Sequence, residues 1–483
     1  MATTNDELWH TGEEMARPSK ELFDWWRPKL KALDPWREVQ DDEIQQLYAE
    51  REGAVYSDLA AELGLAAERP ADVKVILCGA RGSGKTTELA RLAHDVKQDF
   101  CVVQTDLATG LQDGANTLAV VTLLGVAALH ATKVWSAPDT ALVKLLEEPD
   151  NAVKRGATVL DKALGRFRDA VPSVTKLLES ISSIVTLFDP TTGAGLATAA
   201  HGVATAGSAV STASRLRLDL TRGPLEGRLP PDQHEDAQAV VEAVNGILHE
   251  LELLAGRPPL LLADGLDKRL KLDEVALALD DERLLRDLQA PLVLTGPVNL
   301  RHDPRFRAVP GNLRLALLYN VPIMRRAKSP KGAGSNDAQV SPEGVEVLHD
   351  LYRRRQAGAD LPEELFGDDL IELAANNCAG IMRDFLWLLH EAGKTALIRS
   401  ARRVEQQDLH AAMKKRRLEL EGYLDEDALT ILKRVLDKGT LPGSPEADTL
   451  LFENFIACYH NGDIWFRPHE LIVEFVRHKR SDG

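Results

Sequence analysis

Apolar positions along this chain follow two periods. Short aliphatic runs occur at Val73 to Cys78, Cys101 to Thr105, Pro259 to Ala263, Pro291 to Thr295 and Leu315 to Pro322. Each is too short for a helix and has no polar alternation, the pattern of a strand buried on both faces of a parallel sheet. Between them apolar residues recur every three or four positions, as at Leu89, Leu92 and Ala93 and from about Ala237 to Leu254. At least five strands alternating with helices predict an α/β fold around a parallel sheet.

The same pattern divides the chain. Residues 1–70 read as helical and hold four of the seven tryptophans, Trp9, Trp25, Trp26 and Trp36. Such a concentration either docks the segment on the body of the sheet domain or anchors a partner. Residues 71–328 form the sheet domain, with an insertion at about 135–232, because Gly79 and Asp264 stand 185 positions apart and about half of that suffices for the intervening βα units. Much of the insertion is amphipathic helix, for example Val153 to Leu187. The polar stretch Ser329 to Gln339 marks a boundary, and 341–420 reads as a small helical lid. In 423–483, two helical runs precede Tyr459-His-Asn461-Gly462-Asp463-Ile, where Asn-Gly between short runs predicts a hairpin and the whole a C-terminal winged-helix domain.

Composition narrows the class. The 483 residues are 44% hydrophobic and 27% charged with a formal net charge of −16, ordinary for a globular protein and unfavourable for coating nucleic acid through bulk charge. Cys78, Cys101, Cys378 and Cys458 lie far apart, so no zinc spacing or disulfide framework is visible. The N-terminus carries no export signal pattern, and a cytoplasmic location is expected. Thr191 to Ser214 is 24 residues without a formal charge, long enough to span a bilayer but built of Ala, Gly, Ser and Thr. Three readings stand for it: a packed helix whose Leu196, Val203 and Val210 form a seam, a linker, or a membrane-inserting segment, with the membrane the least favoured.

Candidate chemistry concentrates at two strand ends. After the first strand comes Gly79-Ala80-Arg81-Gly82-Ser83-Gly84-Lys85-Thr86, followed by Thr87 and a helix. This is G-x-x-x-x-G-K-[ST] in its required strand–loop–helix context, where backbone N–H groups and a helix N-terminus cradle phosphate. Lys85 is expected on the β- and γ-phosphates, the Thr86 hydroxyl on Mg²⁺, and Thr87 near the α-phosphate. A glycine-rich turn that binds nothing is the plain alternative. The third strand ends in Asp264-Gly265-Leu-Asp267. Asp264 suits Mg²⁺ through water at a strand's C-terminal tip, and Asp267 suits orienting or deprotonating a water. Thr295, or Asn299 near it, is a candidate for the γ-phosphate or that water; a strand-end cap is the alternative.

LLLADGLD paired with that loop resembles the STAND signalling ATPases, nucleotide-controlled relatives of AAA+ proteins. It departs from the ordinary AAA+ form, in which a glutamate follows the aspartate, since Gly265 stands there. The resemblance implies a P-loop NTPase core of the ASCE type, ATP and Mg²⁺ as ligands, Asp267 in the catalytic role and slow regulatory hydrolysis. Asn376-Asn-Cys-Ala-Gly380-Ile-Met-Arg383-Asp384 resembles the lid segment of AAA+ replication initiators of the origin-recognition type, which implies that Arg383 reaches the γ-phosphate as a sensor. Pairing of Arg383 with a nearby carboxylate is the alternative. The likeness also implies that the DPWREVQ stretch lies near the adenine.

These readings converge on an ATP-dependent switch that relays ATP or ADP state to a protein effector or to other subunits, in prokaryotic signalling or defence against phage. A rival is a DNA-binding initiator or loader using the winged helix and Lys414-Lys415-Arg416-Arg417, a run that also reads as a solvated helix face. A membrane-associated NTPase is a third. Arg301, Arg305 and Arg307 are candidates for an arginine acting on a neighbouring subunit.

Overall fold

The computed structural model describes residues 18–37, 39, 43–51, 55–66, 70–111, 114–135, 228, 234–270, 272–303, 306, 313–326, 338–359, 361–362 and 365–478. They fall in two compact units: a sheet unit of Glu38–Asn320 with Gly443–Cys458, and a helical unit of Met1–Arg37, Val321–Pro442 and Tyr459–Gly483. Most of the expected insertion, including 191–214, and Arg305 and Arg307 lie outside the described residues.

In the sheet unit, five strands, β1 (Lys74–Gly79), β2 (Cys101–Asp106), β3 (Pro259–Asp264), β4 (Leu292–Pro297) and β5 (Arg314–Leu318), pair in the order β2-β3-β4-β1-β5. Every pairing is parallel. The fold is α/β, as the aliphatic runs predict. Side chains alternate across the sheet. Ile76, Cys78, Leu261, Ala263, Leu292 and Leu294 share a core with helices Thr117–Trp135 and His234–Ala255, while Val75, Leu77, Leu260, Leu262 and Val293 share the other with helices Val55–Leu65 and Lys85–Val96. With both faces covered, the runs of the inner strands β1, β3 and β4 have no exposed side, which is why short length without alternation identified them.

The helix Lys85–Val96 buries Leu89, Leu92, Ala93 and Val96, one face of a 3.6-residue repeat. Its first turn also carries Glu88, 2% exposed. That carboxylate accepts from Tyr48 Oη at 2.9 Å, Arg51 at 3.1 Å, and the Val55 and Tyr56 N–H groups at 3.0 and 3.1 Å. One buried acid therefore fastens the segment 48–56 to the helix that follows the glycine-rich loop. Burial, together with the Glu88 charge beside it, drives the Tyr48 phenol well above its ordinary pKa, so it donates without ionising.

Contacts redraw two expected boundaries. Residues 443–458 belong to the sheet unit: Asn299 Nδ2 donates to Asp448 O at 2.6 Å, and Asn320 and Cys458 exchange hydrogen bonds. The proposed terminal domain of 423–483 is thereby divided, although the turn at Gly462 between strands Ile456–Asn461 and Asp463–Pro468 is where Asn-Gly placed it. Of the segment 1–70, helix Val55–Leu65 packs on the sheet unit, and the tryptophan-rich helix Lys20–Ala32 packs within the helical unit, on helices Met382–Ile398 and Pro342–Gly358. Trp26, fully buried, donates Nε1 to Ala401 O at 2.9 Å, and Gly393 leaves room for its ring.

Trp26→Ala removes this anchor, and a cost of about 3–5 kcal/mol is expected from cavity formation and an unpaired carbonyl. A differential scanning measurement should show the helical unit melting earlier with the sheet unit's transition in place; unchanged melting would mean the indole is not an anchor.

Candidate functional site

The tips of β1, β3 and β4 meet at one cluster, all of it in the sheet unit. Thr86 Oγ1 donates to Asp264 Oδ2 at 2.7 Å across 178 positions of sequence. Thr295 Oγ1 donates to Asp264 Oδ1 at 2.7 Å and accepts from Gly265 N at 2.8 Å. Lys85 Nζ donates to Gly79 O at 2.8 Å, Ala80 O at 2.9 Å and Asp267 Oδ2 at 2.8 Å. Strand register makes this possible, because β4 lies between β1 and β3 and carries Thr295 opposite Leu77.

Local backbone chemistry sets the loop. Gly84, at the helix N-cap, has a φ of 98° and supplies no side-chain cap, so first-turn N–H groups of Lys85, Thr86 and Thr87 are left for another acceptor. Ser83 Oγ is buried and has no hydrogen-bond partner, a second unspent polar atom in the loop Gly79-Ala80-Arg81-Gly82-Ser83-Gly84. Gly265 answers a different constraint: its φ is 100°, and a Cβ there would run into Asp106 and the Ala108 backbone. A glutamate at this position would not fit between β2 and β3.

Arg81 closes the loop from outside. Its Nε donates to Asp267 O at 2.9 Å, its guanidinium lies 4.1 Å from the Phe452 ring centroid, and its carbonyl accepts from Asn454 Nδ2 at 2.8 Å. Asp267 is thus held by Lys85 through its carboxylate and by Arg81 through its carbonyl. Its Oδ1 is buried without a partner, an acceptor available for a water or hydroxyl proton.

Two charged residues absent from the sequence-based set join the cluster. Lys268 Nζ lies 2.8 Å from Asp264 Oδ2 and 3.8 Å from Asp106 Oδ2. The signals were there: Asp106 ends its strand as Asp264 does, and Lys268 stands four positions after Asp264. Burial pushes the Asp264 carboxyl up, but the Lys268 ammonium and hydrogen bonds from Lys268, Thr295 and Thr86 outweigh it and hold the pKa below the usual carboxylate range.

Other expectations fall elsewhere. Thr295 is fully buried with its hydroxyl proton on Asp264, so it positions that carboxylate. Asn299 points to Asp448, and Arg301 to Cys458 Sγ at 3.8 Å. In the helical unit, the Arg383 guanidinium lies 4.5 Å from the centroid of Trp36, within the DPWREVQ stretch. Its neighbour Asp384 is a buried hub for Arg416 and His469 Nε2, and Leu471 N donates to His469 Nδ1. Lys415, Arg416 and Arg417 of the basic run are paired with Glu391, with Asp384 and Glu419, and with Glu421, so the run is built into the helical unit's own ion pairs. Among the described residues no helix is long and apolar enough to cross a membrane.

No protein-family model and no curated protein sequence matches the chain. The site's chemistry therefore carries the functional argument.

With a pKa lowered on folding, Asp264 stabilises the protein fully above about pH 4 and loses that contribution as pH falls through the folded value. Carboxyl NMR of Asp264 should give a midpoint below that of an ordinary aspartate, and Lys268→Met should raise it. A wild-type midpoint above the ordinary range would mean that burial dominates.

Proposed function

We propose that the chain is an ATP-binding, slowly hydrolysing switch. The observation that carries this reading is the meeting of Thr86 and Lys85 with Asp264 and Asp267 at the tips of the strands on either side of β4, beside helix N–H groups that lack a side-chain cap. The loop Gly79 to Thr87 wraps the phosphates, Lys85 binds the terminal ones, and Thr86 with Asp264 holds Mg²⁺.

The donor set suits that ion. A hydroxyl and a carboxylate oxygen 2.7 Å apart are hard ligands, and Mg²⁺ commonly takes one or two protein oxygens and completes its octahedron with water and phosphate. Among the described residues no group of three or more His, Cys, Asp or Glu is arranged to hold a metal unaided. Bound Mg²⁺ would supply neutralisation of phosphate charge.

Asp267 acts as the water-orienting base. In the structure its carboxylate is paired with Lys85; a phosphate that draws Lys85 away frees the carboxylate as it brings the reacting group. Such an exchange ties the competence of the base to nucleotide occupancy, which suits a switch better than a continuous motor. Arg383, stacked on Trp36 at the start of a lid helix, serves as the nucleotide-sensing residue of the helical unit, and the response passes to a protein effector or another copy of the chain.

Lys85→Ala should abolish binding of a fluorescent ATP analogue, and Asp267→Asn should bind it yet hydrolyse ATP at least about 100-fold more slowly. Either substitution breaks a buried pair and costs stability of about 3–5 kcal/mol, so circular dichroism must show folded protein. Normal hydrolysis by folded Asp267→Asn would remove Asp267 from the reaction; nucleotide binding unchanged by Lys85→Ala would remove the site.

A further inference from the structure

Asp106 and Asp264 are register partners at the tips of β2 and β3, and like charges so placed repel unless a cation lies between them. The chain supplies one. Lys268 places its ammonium 2.8 Å from Asp264 Oδ2 and 3.8 Å from Asp106 Oδ2. The same Asp264 oxygen accepts from Thr86 Oγ1 at 2.7 Å, so the ammonium and the hydroxyl meet on one carboxylate oxygen. Asp106 is steered toward this position because its other oxygen, Oδ1, accepts from Ala108 N at 3.0 Å. The side chains of Lys268 and Asp106 are about 30% exposed, at 30% and 29%, so an ion can reach the pair from solvent.

We propose that Lys268 is a tethered counter-cation that occupies the divalent-metal position, and that a metal enters only by displacing it and then draws on Asp106 as well as Asp264 and Thr86. The inference rests on the nucleotide-site reading above and adds the residue that regulates it. A divalent ion bound beside an undisplaced ammonium would share an oxygen with a second cation a few ångströms away, which Coulomb repulsion disfavours in a partly buried site. Lys268 therefore weakens capture of free metal and leaves the carboxylate pair half neutralised between cycles. The phosphates of a nucleotide add negative charge that favours the divalent ion over the monovalent side chain, so metal and nucleotide load together.

The test is an electron paramagnetic resonance titration of the full chain with Mn²⁺ in the absence of nucleotide. Lys268→Met and Lys268→Gln should each bind Mn²⁺ about tenfold or more tightly than wild type, whereas Lys268→Arg, which keeps the charge, should not. Adding Asp106→Asn to Lys268→Met should cancel the gain. Affinity within about twofold of wild type in folded Lys268→Met and Lys268→Gln would overturn the proposal, as would equal tightening in Lys268→Arg. A gain that survives Asp106→Asn would overturn the part assigned to Asp106. The outcome is separable from the nucleotide reading: Lys85-dependent ATP binding with no Lys268 effect defeats this inference alone, and the Lys268 effect without ATP binding defeats that reading alone.

Discussion

The hydrogen bonds that Asp264 accepts from Thr86 and Thr295 fix the geometry on which the site depends. They cross-link the segments leaving β1, β3 and β4, and each needs the parallel register to hold to the residue. A one-residue slip of β3 would turn Asp264 to the opposite face of the sheet and bury a charge among aliphatics. Gly265 extends the constraint to β2, because only a residue without a Cβ lets Asp106 and the Ala108 backbone approach so closely. Four strand tips are thereby brought to one place by a largely apolar sheet core and these few polar cross-links.

The cluster is a set of cation–carboxylate pairs, Lys85 with Asp267 nearly fully buried and Lys268 with Asp264 partly exposed. Breaking such a pair is costly unless another partner is ready; under the proposed function, phosphate would replace Asp267 on Lys85 and a divalent ion would replace Lys268 on Asp264. Under the same proposal, such an exchange of partners is what would couple the site to its ligands. Arg81 and Phe452 add a route outward, since the guanidinium that bonds the Asp267 carbonyl also stacks on the helix Pro445–Phe452.

The helical unit spends its charges on itself. Asp384 is buried among Arg416 and His469; burial raises its pKa, and the hydrogen bond from His469 and the Arg416 charge outweigh that and bring it down. Arg416 and its neighbours in the basic run close ion pairs along and between helices. The run that suggested phosphate contact thus has a structural role in joining helix Gln406–Glu421 to helix Met382–Ile398. Trp26 performs the apolar counterpart, sealing the helix Lys20–Ala32 against the same partner.

By itself the sequence determined the strands and the glycine-lined loop, and it singled out Lys85, Thr86, Asp264 and Asp267, which the fold brings together, because these depend on local rules: an unbroken aliphatic run is stable inside a two-sided sheet, and a glycine-lined turn between a strand and a helix is a local pattern. It could not reveal the order of the strands, which follows from how whole helices cover each face. Hence the bond from Thr295 to Asp264 was not legible, and Asp106 and Lys268 went unnoticed although each carried a readable signal. Glu88 offered none, since its partners Tyr48 and Arg51 lie about 40 positions upstream. The division of 423–483 between two units was likewise a tertiary decision: which surface buries the helix Pro445–Phe452 depends on Asn299 and Asp448 meeting across 149 positions, and no local pattern encodes a contact between residues so far apart.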